Sequence, residues 1–247
     1  MYSIKSLMEN ASISRDATVL IHSAFKGLSK KNVNPLIFMD ELVNYFSVDA
    51  NILMPAMSWR ICTPLNPYFD VNKTPGNVGY LAEVFRTKYS SYRSLHPTHS
   101  VSGRGPLAYM YLYEHHKNKT PCSEVSPFKK IAENGGLIFM LGVGLECCTL
   151  FHCAEEMIAR DLYLMPETEE YLCSDFESII HKVQIHRHQK KIRDYNKLKT
   201  ILKNEGALVD GVFRGQKWLC INAKKSLSIA CELLKTDQTF LFKNELE

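Results

Sequence analysis

The sequence predicts a layered α/β fold, and three patterns indicate it. Short apolar runs of strand length alternate along the 247 residues with longer segments in which apolar residues recur at helical spacing. Proline at the start and glycine at the end mark several of the helical segments. Strands and helices in alternation typically pack as helices on a sheet. With 45% hydrophobic residues and no linker-like or repeated segment, the chain is expected to form a single domain over residues 1–247.

The predicted elements of the first half alternate in this way. A polar loop from His22 to Gly27 follows the first strand, and Pro55 ends the second. Residues 60–75 are rich in Pro, Asn and Thr, which predicts a long surface loop of the kind that is often functional. The predicted strands are Thr18–Ile21 and Asn51–Met54, and the predicted helices are Pro35–Phe46 and Gly79–Arg86.

The second half begins with Arg93–Arg104, an extended segment that is too polar to be a core strand. Residues 106–116 form an aromatic and helical segment. Ser126 is expected to cap a helix that Gly135 and Gly136 end. The remaining predicted elements are a buried strand Leu137–Leu141, a strand Ile179–Ile185, a helix Tyr195–Asn204, a hairpin Ala207–Ile221 and a last helix Ala223–Leu234.

The charge of the chain is modestly basic and unevenly placed. There are 30 basic and 26 acidic residues, which gives a net charge of +4, and most of the excess lies between His181 and Lys203. Such a run is usually a solvated face, and the alternative is a site for a polyanion. We expect no nucleic-acid partner.

The eight cysteines are expected to be reduced thiols of a cytoplasmic protein. The first residues lack the pattern of a signal peptide, and no run of about eighteen apolar residues offers a membrane span. Cys147, Cys148 and Cys153 beside His152 suggest zinc, but adjacent cysteines point in different directions and no Cys-x-x-Cys pair occurs in the chain. We therefore expect no metal, and the cysteines are interpreted as small buried hydrophobes.

The segment Gly142–Glu156 is the first candidate for a catalytic site. It follows a predicted buried strand, and its glycines allow the backbone to approach a ligand. On a helix, Thr149, His152, Glu155 and Glu156 lie along one face, because they are three or four residues apart. Open α/β sheets bind ligands at the carboxyl ends of their strands, which is where this face is predicted.

Several motifs stand in one order along nearly the whole chain, namely His22-Ser23, Met54–Trp59, Thr74–Gly79, Glu83–Arg86, Arg93–Val101, Ser126–Phe128, Gly142–Glu155 and Glu205–Ala207. Together they resemble the antibiotic N-acetyltransferase family, whose best known members are the aminoglycoside 3-N-acetyltransferases. The resemblance implies a three-layer α/β/α fold with a mixed sheet, distinct from the GNAT acetyltransferase fold, and transfer of an acyl group from acetyl coenzyme A to an amine. The Arg/Gln-x-x-Gly-x-Gly/Ala loop of the GNAT fold is absent.

Two polar sets are expected to bind the phosphates of coenzyme A, which call for small hydroxyls, backbone N–H groups and cations. Each set taken alone also fits an ordinary polar loop, and the resemblance favours cofactor binding. The first set is His22, Ser23, Lys26 and Gly27, and the second is Arg93, Ser94, Ser100 and Ser102, with Arg104 beside it.

The resemblance makes His152 the general base that deprotonates the acceptor amine. Glu155 joins it among the candidate catalytic residues, and Thr149 or the backbone N–H groups of Gly142–Gly144 are candidate donors to the tetrahedral intermediate. Rival interpretations remain open. His96 and His99 are alternative bases, and Cys148 or Cys153 is an alternative thiol nucleophile.

The acceptor is expected to be an amino sugar, and the local charge favours an anionic one. Trp59 and Tyr80 are candidate apolar walls, with core aromatics as the alternative, and Glu146 stands where the family usually has Asp. His186 and His188 share one face of a strand whose neighbours Arg187, Lys190, Lys191 and Arg193 are basic. Carboxylates would be expected there for a polycationic acceptor.

We therefore predict a nucleotide-linked or polysaccharide-pathway amino sugar as the acceptor. The alternatives are an aminoglycoside, O-acylation of a sugar hydroxyl, and a coenzyme A binder without activity. A basic run that simply faces solvent is equally compatible with the sequence. We expect a small-molecule amine as the partner, no membrane span, and a monomer or homodimer.

Overall fold

The computed structural model describes residues 3–243, and its centre is a seven-stranded mixed sheet. In spatial order the strands are β4 (Tyr92–Arg93), β5 (Val101–Arg104), β2 (Asn51–Pro55), β1 (Thr18–Ser23), β6 (Leu137–Leu141), β10 (Gln216–Asn222) and β9 (Leu208–Phe213). The central strand β1 is parallel to β2 and β6, and the outer strands are antiparallel to their neighbours. The carboxyl ends of three central strands therefore meet at one edge.

Helices cover both faces of this sheet, which confirms the predicted α/β/α layers. Val19 and Ile21 of β1 pack on one face and Leu20 packs on the other, as the alternation along a strand requires. On the face of Val19 lie α1 (Ile4–Asn10), α2 (Lys26–Ser29), α3 (Pro35–Tyr45) and α4 (Tyr80–Lys88). On the face of Leu20 lie α5 (Ala108–Leu112), α6 (Pro127–Glu133), α7 (Leu150–Ile158), α8 (Arg160–Tyr163), α9 (Leu198–Asn204) and α10 (Ala223–Thr236).

Capping residues fix several helix boundaries as the sequence predicted. The Ser126 side chain accepts a hydrogen bond from the backbone N–H of Lys129 at the start of α6. Gly206 follows α9 with a φ of +63°, a left-handed conformation that glycine adopts without strain. Short 3-10 helices at His115–Lys117, Leu145–Cys147 and Tyr195–Lys197 lie between the longer elements.

A separate three-stranded sheet stands beside the main one, in the order β3 (Tyr68–Asp70), β7 (Leu164–Ser174) and β8 (Ile180–His188). It has its own apolar cluster, to which Phe69, Tyr171 and Ile185 contribute. The pairing of β7 with β8 is irregular between Leu164 and Thr168. This irregularity lies opposite the end of β8, where His188 contacts His152 and Glu156 of α7.

Two expectations about polar segments were wrong. The predicted surface loop of residues 60–75 contains β3, and its Cys62, Phe69 and Val71 are buried in the small sheet's core. The segment Arg93–Arg104 contributes β4 and β5 to the main sheet. Its polar side chains are buried because most of them hydrogen-bond one another and nearby carbonyls, a possibility that composition alone does not reveal.

All eight cysteines are free thiols, and seven of them are buried. Cys148 and Cys153 are fully buried in the core around α7, whereas Cys147 is exposed. Within residues 3–243, no helix combines the length and apolarity that crossing a bilayer requires.

Candidate active site

A cavity of about 1310 Å³ opens where β1, β2 and β6 end. Its walls come from several parts of the chain, as expected for a site at the carboxyl edge of an open sheet. They are His22 and Ser23 of β1, Met57 after β2, Val143 and Glu146 after β6, Thr149 and His152 at α7, and Arg187–Lys191 at the end of β8.

His152 reaches this cavity from α7 and is held by the neighbouring carboxylate of Glu155. The distance from His152 Nδ1 to Glu155 Oε2 is 2.7 Å, and the three-residue spacing places both side chains on one helix face. The Tyr195 hydroxyl lies 2.9 Å from the same Nδ1 and donates to Glu155 Oε1 at 2.7 Å. Arg193 Nε donates to both oxygens of Glu155, at 2.9 and 3.0 Å. These hydrogen bonds therefore restrict the orientation of all four side chains in the cluster.

Glu155 is fully buried and still ionised. Burial by itself raises the pKa of this carboxyl, but the charge and hydrogen bond of His152, the charge of Arg193 and the hydrogen bond of Tyr195 together lower it below its usual value. In the neutral ring the carboxylate holds the proton on His152 Nδ1, so the Nε2 lone pair is available. In the part of the chain that the structure describes, Nε2 has no hydrogen-bond partner. This arrangement suits a general base.

Arg193 and Tyr195 belong to this cluster, and sequence reasoning did not connect them with His152. Arg193 was interpreted as part of the basic run near the acceptor, and its guanidinium binds Glu155 while the residue also lines the large cavity. Tyr195 was expected only as the start of a helix. Both lie about forty residues beyond His152, and no local spacing indicates that the fold returns them to α7.

A second histidine, His188 at the end of β8, stacks on His152. The ring centroids are 4.1 Å apart and the planes are 27° apart. His188 Nε2 lies 2.7 Å from Glu156 Oε1, which also accepts from the backbone N–H of Cys122 at 3.0 Å. Thr120 Oγ1 donates to the other oxygen of Glu156 at 2.5 Å. Burial raises the pKa of Glu156 to about 8 and lowers that of His188 well below its usual value, so both groups are neutral near pH 7.

The stacked pair begins a row of histidines that continues into the interior. His99 meets His188 edge to face at 5.3 Å, and His96 stacks on His115 at 4.3 Å. The rings of His99 and His96 are 6.1 Å apart. His99 lines the cavity, while His96 is fully buried behind it. His96 is therefore poorly placed for the alternative role of base.

Lowering the pH from about 7 to 5 is expected to destabilise the fold strongly. Burial lowers the pKa of His115 to about 3 and of His22 to about 4, and lowers those of His96, His99 and His188 well below 6.5. The unfolded chain titrates near 6.5, so it binds more protons below that pH, and the stability present above pH 6.5 is lost as the pH falls. Each ring contributes up to about 1.4 kcal/mol per pH unit.

Urea unfolding at the two pH values measures this effect. We expect the free energy of unfolding to be lower at about pH 5 by at least about 3 kcal/mol. Equal free energies at the two pH values would contradict the buried neutral state of these histidines.

A smaller cavity of about 470 Å³ adjoins the first and shares Ser23, Val78 and Val143 with it. Lys26 also lines it, and so does Tyr80, which was expected as an acceptor wall and faces this second cavity instead. Ser23 lines both cavities and His22 lines the large one, and the buried atoms His22 Nε2 and Ser23 Oγ have no partner within residues 3–243. Because both residues line a cavity, these atoms are candidate contacts for a ligand.

Gly27 does not make the expected contact with a cofactor cavity. A Cβ atom at this position would lie 2.0 Å from the side-chain oxygen of Gln216 at the start of β10, which is the far end of a flexible side chain. Gly27 lines neither cavity.

The second predicted cofactor set, Arg93 with its serines, is buried in the core. The expectation that it binds the phosphates of coenzyme A was wrong. Arg93 donates to the backbone oxygens of Ala56, Val71 and Thr74 and to the hydroxyls of two serines. Ser94, Ser100 and Ser102 are at most 1% exposed. Because the guanidinium donors are used internally, they are not available to phosphates.

Some of the expected donors to a tetrahedral intermediate are also used inside the protein. The N–H of Gly142 donates to the Lys217 carbonyl, and that of Gly144 donates to Glu146, both at 2.8 Å. The N–H of Val143 has no partner in the described part of the chain. Thr149 lines the cavity one helical turn before His152.

The residues expected at the acceptor divide into two groups. Trp59, Glu146 and His188 line the large cavity, together with Arg187, Lys190 and Lys191, so the basic run reaches the site. Glu169 also lines the cavity, 3.6 Å from Arg187. His186 lies outside it, and its Nδ1 is bound to the Met165 carbonyl at 2.9 Å.

Within residues 3–243, one group of mixed donors lies within 4.8 Å, namely the Cys122 thiol, Glu156 and His188. Internal hydrogen bonds already occupy Glu156, and burial together with the nearby Glu156 raises the pKa of the Cys122 thiol well above its usual value. Binding a metal would require breaking these hydrogen bonds and ionising a dry thiol. We assign no metal role to the group.

Known proteins with the same fold share the described arrangement of strands. Residues 20–235 match the model of the family described as Aminoglycoside 3-N-acetyltransferase. A crystal structure of the aminoglycoside acetyltransferase AAC(3)-IVa apoenzyme superposes with a TM-score of 0.78 at 20% identity, over 98% of this chain and 90% of that one. The binary structure of AAC-IIIb with CoASH has a TM-score of 0.75 at 18% identity, over 94% of this chain and 95% of the other. These likenesses show the fold.

Curated relatives give matches of similar identity over shorter segments. The aminoglycoside N(3')-acetyltransferase-like protein YokD of Bacillus subtilis (strain 168) is 24% identical over 176 residues, which are 63% of this chain and 64% of the relative. Aminoglycoside N(3)-acetyltransferase IV of Salmonella sp is 25% identical over 157 residues, which are 64% of this chain and 58% of the relative. The chain thus matches less than two thirds of the length of each.

Proposed function

This chain belongs to the aminoglycoside 3-N-acetyltransferase family, and from that premise we propose that it transfers an acetyl group from acetyl coenzyme A to an amino group of an amino sugar. The observation that carries the proposal is the His152 Nε2 at the large cavity, with Nδ1 held by an ionised Glu155. An amine gives up a proton as its nitrogen attacks a thioester, and His152 Nε2 is placed to take that proton.

The adjoining cavities supply the two sides of the reaction. Acetyl coenzyme A is proposed to enter along the smaller cavity, where Ser23 offers an unpaired hydroxyl and Lys26 offers a cation, and to reach His22 in the large cavity. The structure of AAC-IIIb with CoASH supports a coenzyme A site in this fold. The thioester would lie where the cavities join, near Val143, whose free N–H is a candidate donor to the acyl oxygen together with Thr149.

For the acceptor, the relatives favour an aminoglycoside over the nucleotide-linked amino sugar that the basic run suggested. AAC(3)-IVa has been crystallised as a histidine-to-alanine variant in complex with a gentamicin and with apramycin, and AAC-VIa has been crystallised bound to sisomicin. In this chain Glu146 and Glu169 are the carboxylates that line the large cavity, within the part that the structure describes. We propose that they receive ammonium groups of the acceptor.

The basic rim is the specific observation that keeps an anionic amino sugar as the second candidate. Arg187, Lys190 and Lys191 all line the large cavity, and Glu169 partly compensates the first of them. A polycationic acceptor must approach this rim against its charge, whereas phosphates would bind it.

A free-thiol assay with acetyl coenzyme A and a panel of acceptors distinguishes the candidates. We expect aminoglycosides to accelerate thiol release most. The double variant Lys190→Glu, Lys191→Glu is expected to lower KM for an aminoglycoside about 3- to 10-fold and to raise KM for a nucleotide-linked amino sugar, because the rim charge is reversed. Lys224→Glu, on the exposed face of α10, is the control for net charge and should leave both values unchanged.

Two outcomes would contradict this order of candidates. Faster turnover of nucleotide-linked amino sugars than of aminoglycosides would make the anionic amino sugar the preferred candidate for the acceptor. Thiol release with hydroxyl acceptors alone would indicate O-acylation, which the same base can catalyse. A thiol nucleophile has little support, since Cys148 and Cys153 are fully buried and burial raises the pKa of Cys148 far above its usual value.

A further inference from the structure

We propose that His188 and Glu156 form a second acid–base pair of this site, in which His188 is the catalytic acid that protonates the departing thiolate of coenzyme A. Glu156 acts through His188, as its positioning residue and source of the proton. The inference rests on the proposed acetyl transfer and adds a residue to it: His152 serves the amine, and His188 serves the sulfur.

The geometry of the two pairs carries the inference. Glu155 and Glu156 are consecutive in α7, and each binds one ring of a stacked imidazole pair at 2.7 Å. The bonded nitrogens differ, since Glu155 holds His152 at Nδ1 and Glu156 holds His188 at Nε2. Both rings line the same cavity, and within residues 3–243 the second nitrogen of each has no protein partner. Two free imidazole nitrogens are thus presented side by side.

The surroundings of the two carboxyls give them opposite protonation states. Arg193 and Tyr195 stabilise the ionised form of Glu155, whose pKa is lowered. Glu156 lies in a dry site without a cation in contact, and burial raises its pKa to about 8. Carboxyls whose environments push their pKa values apart identify the base and the acid of a site.

The other charged groups around the second pair are few. Glu155 on α7 raises the pKa of Glu156, whereas Thr120 and Cys122 on the neighbouring loop lower it by hydrogen bonding, and Arg160 at α8 lowers it more weakly. The ring of His188 is faced by His152, His99, Arg193 and, at a greater distance, His96, all of which disfavour its cationic form.

In the neutral pair the Glu156 hydroxyl donates to His188 Nε2, so His188 carries its own proton on Nδ1, toward the cavity. His152 Nε2 takes a proton from the neutral amine as its nitrogen forms the bond to the acyl carbon. When the carbon–sulfur bond breaks, the sulfur keeps the electron pair and takes the proton from His188 Nδ1. Glu156 passes its proton to His188 Nε2 and becomes a carboxylate. The proton on His152 returns through solvent to His188 Nδ1, the proton on His188 Nε2 passes back to Glu156, and the site is restored.

The acidity of the pair matches this task. An alkyl thiol has a pKa of about 8.5, close to that of the Glu156 carboxyl. Proton transfer between groups of similar pKa is nearly balanced in free energy, which is the condition under which acid–base catalysis is most effective. Glu155, with its lowered pKa, has no proton to give at neutral pH.

The test uses Glu156→Gln and His188→Gln, with kcat measured at saturating acetyl coenzyme A from about pH 6.5 to 9.5. Glutamine at position 156 can accept from Thr120 and Cys122 and donate to His188 Nε2, but it has no proton to release. We expect the wild-type kcat to fall as the pH rises through about 8. Glu156→Gln and His188→Gln should both lower kcat at about pH 7 by roughly 10²-fold without raising KM, and the alkaline fall should disappear in Glu156→Gln.

His181→Gln is the matched control, because His181 lies on the same strand and pairs with Asp175 at 2.6 Å but lines neither cavity. Infrared difference spectra of wild type against Glu156→Gln add a readout that needs no turnover. They should show a carboxylic-acid carbonyl band that is lost as the pH rises through about 8.

Each outcome decides the question. Wild-type kcat in both variants, a slow Glu156→Gln enzyme that keeps the alkaline fall, or the absence of the infrared band would overturn the inference and leave the proposed acetyl transfer standing. If wild type acetylated no amine of the panel, the proposed function would fail and the inference would fall with it.

Discussion

Replacing His152 by glutamine is expected to lower kcat for acetyl transfer by about 10²- to 10⁴-fold, the usual contribution of a general base. Glutamine retains a polar side chain beside Glu155 and Tyr195, but it has no basic nitrogen at the cavity. The amine must then lose its proton to water. Steady-state thiol release with saturating acetyl coenzyme A and acceptor measures the effect.

The same variant is expected to bind coenzyme A with unchanged affinity. The proposed cofactor contacts are His22 and Ser23 of β1 and Lys26 of the smaller cavity, which His152 does not line. Isothermal titration calorimetry checks this. His181→Gln again serves as the control for loss of a histidine. A wild-type kcat in His152→Gln would show that His152 is not the general base. Loss of coenzyme A binding in this variant would show that His152 contacts the cofactor.

Arg93→Ala is expected to lower the free energy of unfolding by about 3–5 kcal/mol. The guanidinium donates to three backbone carbonyls and two serine hydroxyls and lies 4.8 Å from the Phe69 ring centre. Alanine would leave these buried acceptors unpaired, and a buried acceptor without a partner costs its desolvation energy. For a chain of this length, Tm is expected to fall by about 10 °C.

Urea unfolding of Arg93→Ala is compared with that of Arg104→Ala, in which an exposed arginine of the neighbouring strand is removed. Surface substitutions of this kind usually change stability by less than about 0.5 kcal/mol. If Arg93→Ala were as stable as wild type but bound coenzyme A weakly, Arg93 would be a cofactor residue after all.

The part of the site that the sequence predicts is the part that local spacing determines. The buried strand, the glycine turn and the helix spacing of Thr149, His152 and Glu155 are properties of neighbouring residues, and the structure places Thr149 and His152 at the cavity. Arg193 and Tyr195 complete the cluster from forty residues away, through the packing of the 3-10 helix that begins at Tyr195 against α7 and the loop before it. No pattern in one sequence encodes that contact.

The two histidines of β8 show where the strand pattern fails. Simple alternation predicts that His186 and His188 share a face, and only His188 reaches the cavity. The pairing with β7 is regular at His186 but is interrupted before His188, which pairs with Leu164. The extra residues of this irregularity lie in β7. There the Met165 carbonyl binds His186 Nδ1, whereas His188 contacts Glu156 of α7.

The fold was predicted best where segments are apolar. The strands β1, β2 and β6 are continuous hydrophobic runs, and their burial fixes them at the centre of the sheet. Strand β7 carries a proline and several glutamates, so its composition does not indicate a strand. The N-terminal helix α1 was also not predicted. A single domain over residues 1–247 and a monomer or homodimer remain predictions.

The measurement that tests the central claim most directly is mass spectrometry, with tandem fragmentation, of the products formed from acetyl coenzyme A and an aminoglycoside. We predict one added acetyl group on a ring amine, joined by an amide that resists hydroxylamine and formed at least about 10²-fold more slowly by His152→Gln. An acetyl ester that hydroxylamine removes, or an acetyl group retained on a cysteine of the protein, would contradict the account.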